Sequence, residues 1–359
     1  MTVLKKILLT GGGSTGHVAV NLALIPKLRN LNWEIGYIGS KNGIEHELIN
    51  GIKDVKYFAI STGKLRRYIS IENLKDPVKV IKGIRQSYKI IREYKPDVIF
   101  SKGGFVSVPV VLAAWMNKVP IIIHESDVTP GLANKISMPF ASKICLTFKD
   151  TERLVPKEKG IFVGPIIRND IKNGSKERAM EMCGFHDRRA VLLVMGGSLG
   201  SNFINQVVRD SVPRLMSKFQ IIHICGKDNV ESSFNVDGYK QFEYVDSELK
   251  HLLALADIVV SRAGSNSIFE FLYLNKPMLL VPLSGKASRG DQILNANSFQ
   301  QLGYSRVMTE EKCNMGTFIE EVNFLYTNRE PIIDKMKQAP KKDTLEDIIN
   351  IINDFTRSR

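Results

Sequence analysis

Lys6-Ile7-Leu8-Leu9-Thr10-Gly11-Gly12-Gly13-Ser14-Thr15-Gly16-His17, followed by apolar residues at helical spacing from Val18 to Leu31, decides the fold. A short apolar run passes through a glycine-rich turn into a helix, the opening unit of a doubly wound parallel sheet. The glycines let backbone N–H groups approach a ligand closely. As a dinucleotide fingerprint the turn is poor, because its spacing is not GxGxxG. The next strand, Glu34 to Gly39, also closes on Gly39-Ser40-Lys41 rather than on an acidic residue.

Working outward, strands are expected at Val55 to Ile60, Asp97 to Phe100, Val119 to His124 and Lys143 to Thr147, each separated by a helical segment. A second glycine turn, Ser101-Lys102-Gly103-Gly104-Phe105, and the sequence His124-Glu125-Ser126-Asp127 follow two of these strands. Ligands of parallel sheets bind outside the carboxyl ends of the strands, so these loops can converge on one crevice. Ile161-Phe162-Val163-Gly164-Pro165 ends this series, and a domain boundary is expected there, with residues 1–163 forming an N-terminal domain and 164–340 a C-terminal one. Arg168, just past the boundary, can reach a phosphate or base.

The second half repeats the pattern. Ala190 to Met195 runs into Gly196-Gly197-Ser198-Leu199-Gly200-Ser201 and a helix to Leu215, and further strands are expected at Gln220 to Cys225, Gln241 to Val245, Asp257 to Val260 and Met278 to Val281. After Asp257 to Val260, the small residues Gly264, Ser265, Asn266 and Ser267 open a helix whose first N–H groups have no partner within it. The peptide dipoles add roughly half a positive charge there, which suits a phosphate. Glu270, two turns in, is either a solvated carboxylate or a partner for a sugar hydroxyl. Beyond Gly303 only weakly patterned helices are expected, and Leu345 to Phe355 forms a last amphipathic segment in residues 341–359, expected to pack back on the N-terminal domain.

With 43% hydrophobic and 24% charged residues in 359, the composition is that of an ordinary globular chain. No apolar run approaches the roughly 20 residues of a spanning helix, and Ile7-Leu8-Leu9 is too short for a signal peptide, so a cytoplasmic location is expected. The four cysteines, Cys145, Cys183, Cys225 and Cys313, lack metal-ligand or CxxC spacing, which leaves buried free thiols as the default. The net charge of +13 calls for a polyanionic partner without choosing among nucleic acid, a nucleotide and anionic lipid. Much of it lies in residues 64–95, where Arg66, Arg67, Lys75, Lys79, Lys82, Arg85, Lys89, Arg92 and Lys95 accompany Leu74, Val78, Ile81, Ile84, Tyr88 and Ile91 at helical spacing. Such a helix either packs on the sheet with a solvated basic face or meets an anionic membrane surface. Aromatic residues are sparse there and no nucleic-acid motif occurs, so nucleic acid is not expected as a partner.

Gly11-Gly12-Gly13-Ser14-Thr15-Gly16-His17, Ser101-Lys102-Gly103-Gly104-Phe105-Val106-Ser107, His124-Glu125-Ser126, Met195-Gly196-Gly197-Ser198-Leu199-Gly200 and Ser288-Arg289-Gly290-Asp291-Gln292 occur in this order along the whole chain. Together they resemble the MurG family of UDP-N-acetylglucosamine transferases, glycosyltransferase family 28, of Gram-positive type. The resemblance implies an α/β GT-B fold, two doubly wound Rossmann-like domains facing across a cleft. It further implies inverting, metal-independent transfer of N-acetylglucosamine from UDP-GlcNAc to the C4 hydroxyl of lipid I, giving lipid II for peptidoglycan. The enzyme would act peripherally on the cytoplasmic side of the cell membrane, without cofactor, with cell-wall synthesis and division proteins as possible partners.

By resemblance, donor contacts fall on Arg168, Gly197, Ser198, Val245, Gly264 to Ser267, Glu270 and Gln292. The acceptor pyrophosphate falls on Ser14, Thr15, Gly16, Gly103 and Gly104, with Asn134 beside them. His17, whose side-chain type titrates near pH 6.5, is the leading candidate for the catalytic base, with Glu125 and Asp127 as rivals. The chain departs from common family residues at Thr15, Asp127 and Leu199. A UDP-GlcNAc 2-epimerase and a non-catalytic basic lipid- or RNA-binding protein are the alternative readings.

Overall fold

The computed structural model describes residues 4–63, 76–197, 200–234, 236–284, 290–340 and 342–356. The chain divides into two compact units: Met1–Ile166 with Lys342–Arg359, and Ile167–Lys341.

In unit one, β1 (Lys6–Thr10), β2 (Glu34–Ser40), β3 (Val55–Ile60), β4 (Val98–Ser101), β5 (Ile121–Glu125), β6 (Lys143–Leu146) and β7 (Gly160–Phe162) form a parallel sheet in the order β3-β2-β1-β4-β5-β6-β7. It carries α1 (Thr15–Asn30), α2 (Ile44–Ile49), α3 (Asp76–Tyr94), α4 (Ser107–Met116) and α5 (Leu132–Ser137). Side chains alternate across a strand, and here both faces are covered. Ile7 and Leu9 pack with Val18, Leu24 and Leu28 of α1, whereas Leu8 faces the opposite core with Ile91 of α3 and Val110 of α4. Two covered faces explain why the strand reads as an unbroken apolar run. Strand order reverses between β1 and β4, so the loops after these strands flank the position where such sheets bind ligands.

Unit two repeats the plan with β8 (Ala190–Met195), β9 (Phe219–Ile224), β10 (Tyr239–Phe242), β11 (Ile258–Ser261), β12 (Met278–Leu280) and β13 (Ser305–Val307), ordered β10-β9-β8-β11-β12-β13 and all parallel. Its helices are α6 (Lys176–Cys183), α7 (Asn202–Leu215), α8 (Leu249–Leu255), α9 (Ser265–Tyr273), α10 (Asp291–Gln301), α11 (Met315–Thr327) and α12 (Arg329–Lys337). Reversal now falls between β8 and β11. Two elements depart from the sequence expectation. β10 ends at Phe242 rather than Val245, and β13 stands where only helices are expected. Both are edge strands of mixed polarity: Arg306 in β13 pairs with Glu321 at 2.8 Å, leaving no apolar run to read.

The final helix, α13 (Thr344–Asp354), belongs to unit one. Its Leu345, Ile348, Ile349 and Ile352 enter the core containing Leu24 and Leu28 of α1. Thr344 Oγ1 donates to Val163 O at 2.9 Å, and Lys27 Nζ meets Asp343 at 3.2 Å and Glu346 at 3.4 Å.

α3 buries Ile91 and half-buries Ile84 and Tyr88, but Val78 and Ile81 near its start are 67% and 53% exposed beside exposed Lys82 and Arg85. Only its later turns therefore pack as an ordinary layer. Residues 64–75, with Arg66, Arg67, Leu74 and Lys75, lie outside the described residues. Cys145, Cys183 and Cys225 are buried free thiols and Cys313 is half-buried. No described helix is long and apolar enough to cross a membrane.

Candidate active site

In unit one the turn after β1 is built from below. Glu45, fully buried at the start of α2, accepts from Gly13 N at 3.1 Å and from Ser40 N and Oγ at 3.0 and 2.5 Å. A Cβ on Gly12 would overlap this carboxylate, so the turn needs glycine there. Tyr37 Oη donates to Gly11 O at 2.6 Å. α1 then begins at Thr15 with Ser14 as N-cap, and the Ser14 side chain makes no capping hydrogen bond to its first N–H groups. Thr15 is exposed and Gly16 half-buried at this helix start.

His17 stands on the first turn of α1. Its Nδ1 lies 3.0 Å from Gly12 O and 3.0 Å from Ser14 Oγ. A carbonyl only accepts, so the Gly12 contact puts the proton on Nδ1 and, in the neutral ring, the lone pair on Nε2. The turn after β4 closes against the same place. Gly104 has φ +83°, and a Cβ there would overlap Gly12 O and come within 3.0 Å of His17 Nδ1. Gly103, at φ +91°, would put a Cβ 2.8 Å from Asn134 Oδ1.

The third loop, after β5, is held by Glu125. Its Oε1 accepts from Ser126 N and Asp127 N at 2.9 and 3.0 Å, and its Oε2 from Gly131 N and Asn134 Nδ2 at 2.9 and 2.8 Å. Glu125 is thus buried and fully engaged by its own turn, while Asp127 is half-buried and its carbonyl accepts from Thr151 Oγ1 at 3.2 Å. Beneath the loops Lys102 is 2% exposed and donates to Ser126 Oγ at 2.9 Å. Burial pulls its pKa down, opposed by the charges of Glu125 and Asp127. His124, next to it, is held well below the usual imidazole range by burial and then by Lys102.

In unit two Arg168 and Glu270, inferred separately from sequence, meet in a two-pronged ion pair, Nε to Oε1 at 2.7 Å and Nη2 to Oε2 at 3.2 Å. Burial pushes the Glu270 carboxyl above its ordinary range, with Arg168 opposing the rise. For Arg168 burial lowers the pKa, and the hydrogen bond and charge of Glu270 outweigh it. Glu270 lies on α9, whose N-cap is Gly264 with no capping side chain. A Cβ on Gly264 would meet nothing within 4 Å, so the approach to the N–H groups of Ser265, Asn266 and Ser267 is open. Ser265 is buried, Asn266 exposed and Ser267 half-buried.

Arg262, missed from sequence, ties this half together. It is 7% exposed and donates to Val281 O and Pro282 O at 3.0 and 3.3 Å, to Ser201 Oγ at 2.7 Å and to Glu310 at 2.6 Å. Ser201 also caps α7 by accepting from Ile204 N, so this glycine turn, unlike the one after β1, supplies its own cap. Gly197, at φ +93°, lies in the same turn, and Ser198 and Leu199 lie outside the described residues. Gln292 Oε1 accepts from Leu283 N at 3.0 Å, which anchors the chain after β12; Ser288 and Arg289 lie outside the described residues. Val245 is half-buried, three residues past the end of β10. Among the described residues no three His, Cys, Asp or Glu side chains gather to hold a metal ion.

Lys102, inside the second glycine turn, and Arg262, between the strand Asp257 to Val260 and Gly264, carried no role in the sequence reading. The available signal was a long cation directly after a buried strand, which must find acceptors where it lies. Glu45, five residues past its strand, offers no such signal.

Residues 7–146 match the description "Glycosyltransferase family 28 N-terminal domain" and residues 191–352 match "Glycosyltransferase family 28 C-terminal domain". The chain is 56% identical over 354 residues, 98% of its length and 99% of the relative's, to a UDP-N-acetylglucosamine–N-acetylmuramyl-(pentapeptide) pyrophosphoryl-undecaprenol N-acetylglucosamine transferase of Geobacillus kaustophilus. A protein of the same name from Clostridium tetani is 52% identical over 98% of both chains. Among solved structures, Acinetobacter baumannii MurG matches with a TM-score of 0.78 at 20% identity, covering 98% of this chain and 99% of that one. A putative UDP-N-acetylglucosamine 2-epimerase from Listeria monocytogenes matches with a TM-score of 0.71 at 13% identity, over 99% and 98%. Such distant likenesses bear on the two-sheet GT-B fold alone. With both family domains matched in order and the identity running the length of the chain, the protein belongs to glycosyltransferase family 28.

Proposed function

We infer that the protein transfers N-acetylglucosamine from UDP-GlcNAc to the C4 hydroxyl of the N-acetylmuramoyl unit of lipid I, giving lipid II for peptidoglycan. The observation that carries this is the full-length identity to transferases of that name. Unit two takes the donor. The N–H groups at the open start of α9 receive the diphosphate, and Glu270 accepts from the ribose while orienting Arg168. Val245 lies at the uracil, Ser198 and Gly197 at the phosphates and Gln292 at the sugar.

Unit one takes the acceptor. Its pyrophosphate meets Ser14, Thr15 and Gly16 at the uncapped start of α1 and the Gly103-Gly104 turn, with Asn134 beside it. The C4 oxygen attacks the anomeric carbon from the face opposite UDP. The bond to the β-phosphate oxygen breaks with its electron pair leaving on UDP, and the configuration inverts. The C4 proton passes to Nε2 of His17, whose tautomer Gly12 sets. Glu125, with four donors already on its two oxygens, braces the loop, and Asp127 remains the rival base. Charge developing on UDP is met by helix N–H groups and Arg168.

Purified protein given UDP-GlcNAc and a lipid I analogue should release UDP, and His17→Gln should lower kcat by about a hundredfold or more with little change in the KM for UDP-GlcNAc. No UDP release above background sinks the transfer. Acceptor-independent interconversion of the sugar would instead favour an epimerase, whose fold this chain shares.

Docking is assigned to the anionic cytoplasmic face of the cell membrane through residues 64–95, with exposed Val78 and Ile81 entering the interface and Lys82 and Arg85 meeting lipid phosphates. Co-sedimentation with phosphatidylglycerol vesicles should fall as salt rises and as Ile81→Ser is introduced; unchanged binding by that variant would remove α3 from the interface.

A further inference from the structure

Lys102 is a buried ammonium with no ion pair among the described residues to account for it. Its side chain donates to a neutral hydroxyl, Ser126 Oγ at 2.9 Å. The adjacent carboxylate cannot take it up: both oxygens of Glu125 are filled by four donors of the turn from Ser126 to Asn134. Nor does the imidazole of His124 engage it; both ring nitrogens are buried without a hydrogen-bond partner among the described residues. Asn134 Oδ1, beside Gly103, is buried and likewise has no hydrogen-bond partner among the described residues. An apolar side chain would fill the space under the loops without the penalty of burying a charge. The charge therefore has a use other than packing.

Its position indicates which. Lys102 N donates to Thr10 O at the end of β1, and a Cβ on Gly11 would come within 3.0 Å of the Lys102 Cβ and 2.6 Å of His17 O. Lys102 is thus rooted where the carboxyl ends of β1 and β4 part, and its ammonium reaches the turn after β5. All three loops assigned to the acceptor surround it. We propose that Lys102 is a positioning residue for the acceptor, holding the Ser126–Asp127 turn through Ser126 Oγ and supplying from beneath the positive charge that makes the glycine turns favour a diphosphate. The carboxylates facing it, Glu125 and Asp127, keep it protonated against burial, and His124 stays neutral beside it.

This rests on the assignment of lipid I to unit one, and the test separates the two. Steady-state kinetics of the full chain with a lipid I analogue are compared for wild type, Lys102→Met and Ser126→Ala, each checked for folding by its thermal stabilisation with UDP. Lys102→Met should raise the acceptor KM by about tenfold or more while the KM for UDP-GlcNAc stays within about twofold, the scale of one lost hydrogen bond to a charged group. Ser126→Ala should move the acceptor KM in the same direction by less. In wild type the acceptor KM should climb on the alkaline side, as Lys102 loses its proton below the ordinary lysine range, with no matching change for the donor. If Lys102→Met fails to fold, that pH profile and Ser126→Ala decide. An unchanged acceptor KM in a folded Lys102→Met, or equal rises in both KM values, overturns the proposal; absence of transfer by wild type overturns the acceptor assignment instead.

Discussion

Arg168 and Glu270 are 102 positions apart in sequence, and each is recognisable alone as a plausible nucleotide contact. Their pairing is invisible before folding. It changes what substitution means, because removing one partner leaves the other charge poorly compensated on a half-buried surface. Arg168→Ala and Glu270→Gln should each weaken UDP binding, and the double variant should lose less than the sum of the two, with a coupling on the order of 1 kcal/mol. Calorimetric titration of UDP into all four proteins measures it. Losses that add within about 0.5 kcal/mol would mean the two residues contact the nucleotide independently. The motif residues His17 and Gly104 were legible because they lie where a glycine turn carries a strand end into a helix, and Glu270 because it rides on the helix that the small-residue turn after β11 opens. Glu45, Lys102 and Arg262 were not, since what fixes their part is the set of partners folding brings: Gly13 and Ser40, Ser126, and Ser201 with Glu310.

At the level of elements, the strand-turn-helix units were the readable feature, and two doubly wound domains follow from their repetition in both halves, while the GT-B class came with the family resemblance. Strands buried on both faces, such as β1 and β8, announce themselves by apolar runs. The edge strands β10 and β13 do not, because half of each faces away from a core and carries residues such as Lys240 and Arg306. The glycine turns are where element and chemistry coincide. Gly104 stands at φ +83° against Gly12 O, which holds the His17 ring. Gly104→Ala must therefore pay for a left-handed alanine and also displace the Gly12 carbonyl, a destabilisation of about 1–3 kcal/mol. Its midpoint of thermal unfolding should fall and its kcat should drop with the imidazole misaligned, while UDP still stabilises unit two. A variant with wild-type kcat would show that the Gly12–His17 contact has no part in catalysis.

Across the molecule, each unit keeps a neutral histidine behind its parallel sheet's working end. His223, fully buried on β9, has Nδ1 2.8 Å from Tyr239 Oη and Nε2 3.0 Å from Asn205 Oδ1, and burial, then the charge of Arg209, lowers its pKa to about 3. His124 in unit one is shifted the same way by burial and Lys102. A histidine with its folded pKa depressed leaves stability intact above its unfolded value, near pH 6.5. Below that pH only the unfolded chain takes the proton, so stability falls toward pH 3 at up to about 1.4 kcal/mol per unit for each such group. Carboxylates held low, Asp343 by the backbone N–H of Glu346 and Glu34 by its hydrogen bond with Lys56, lose their contribution only below about pH 4.5, which leaves the window above it to the histidines. Glu270, raised by burial, works in the opposite sense and softens the slope of unit two. Denaturant unfolding at pH 7.5 and 5.5 should show unit two weakened at the lower pH by about 1 kcal/mol, with His223→Gln flattening the difference at the cost of lower stability at both. Equal stability of the wild type at the two pH values would mean that His223 carries a proton in the folded protein, and that Tyr239 and Asn205 must both be accepting from its ring.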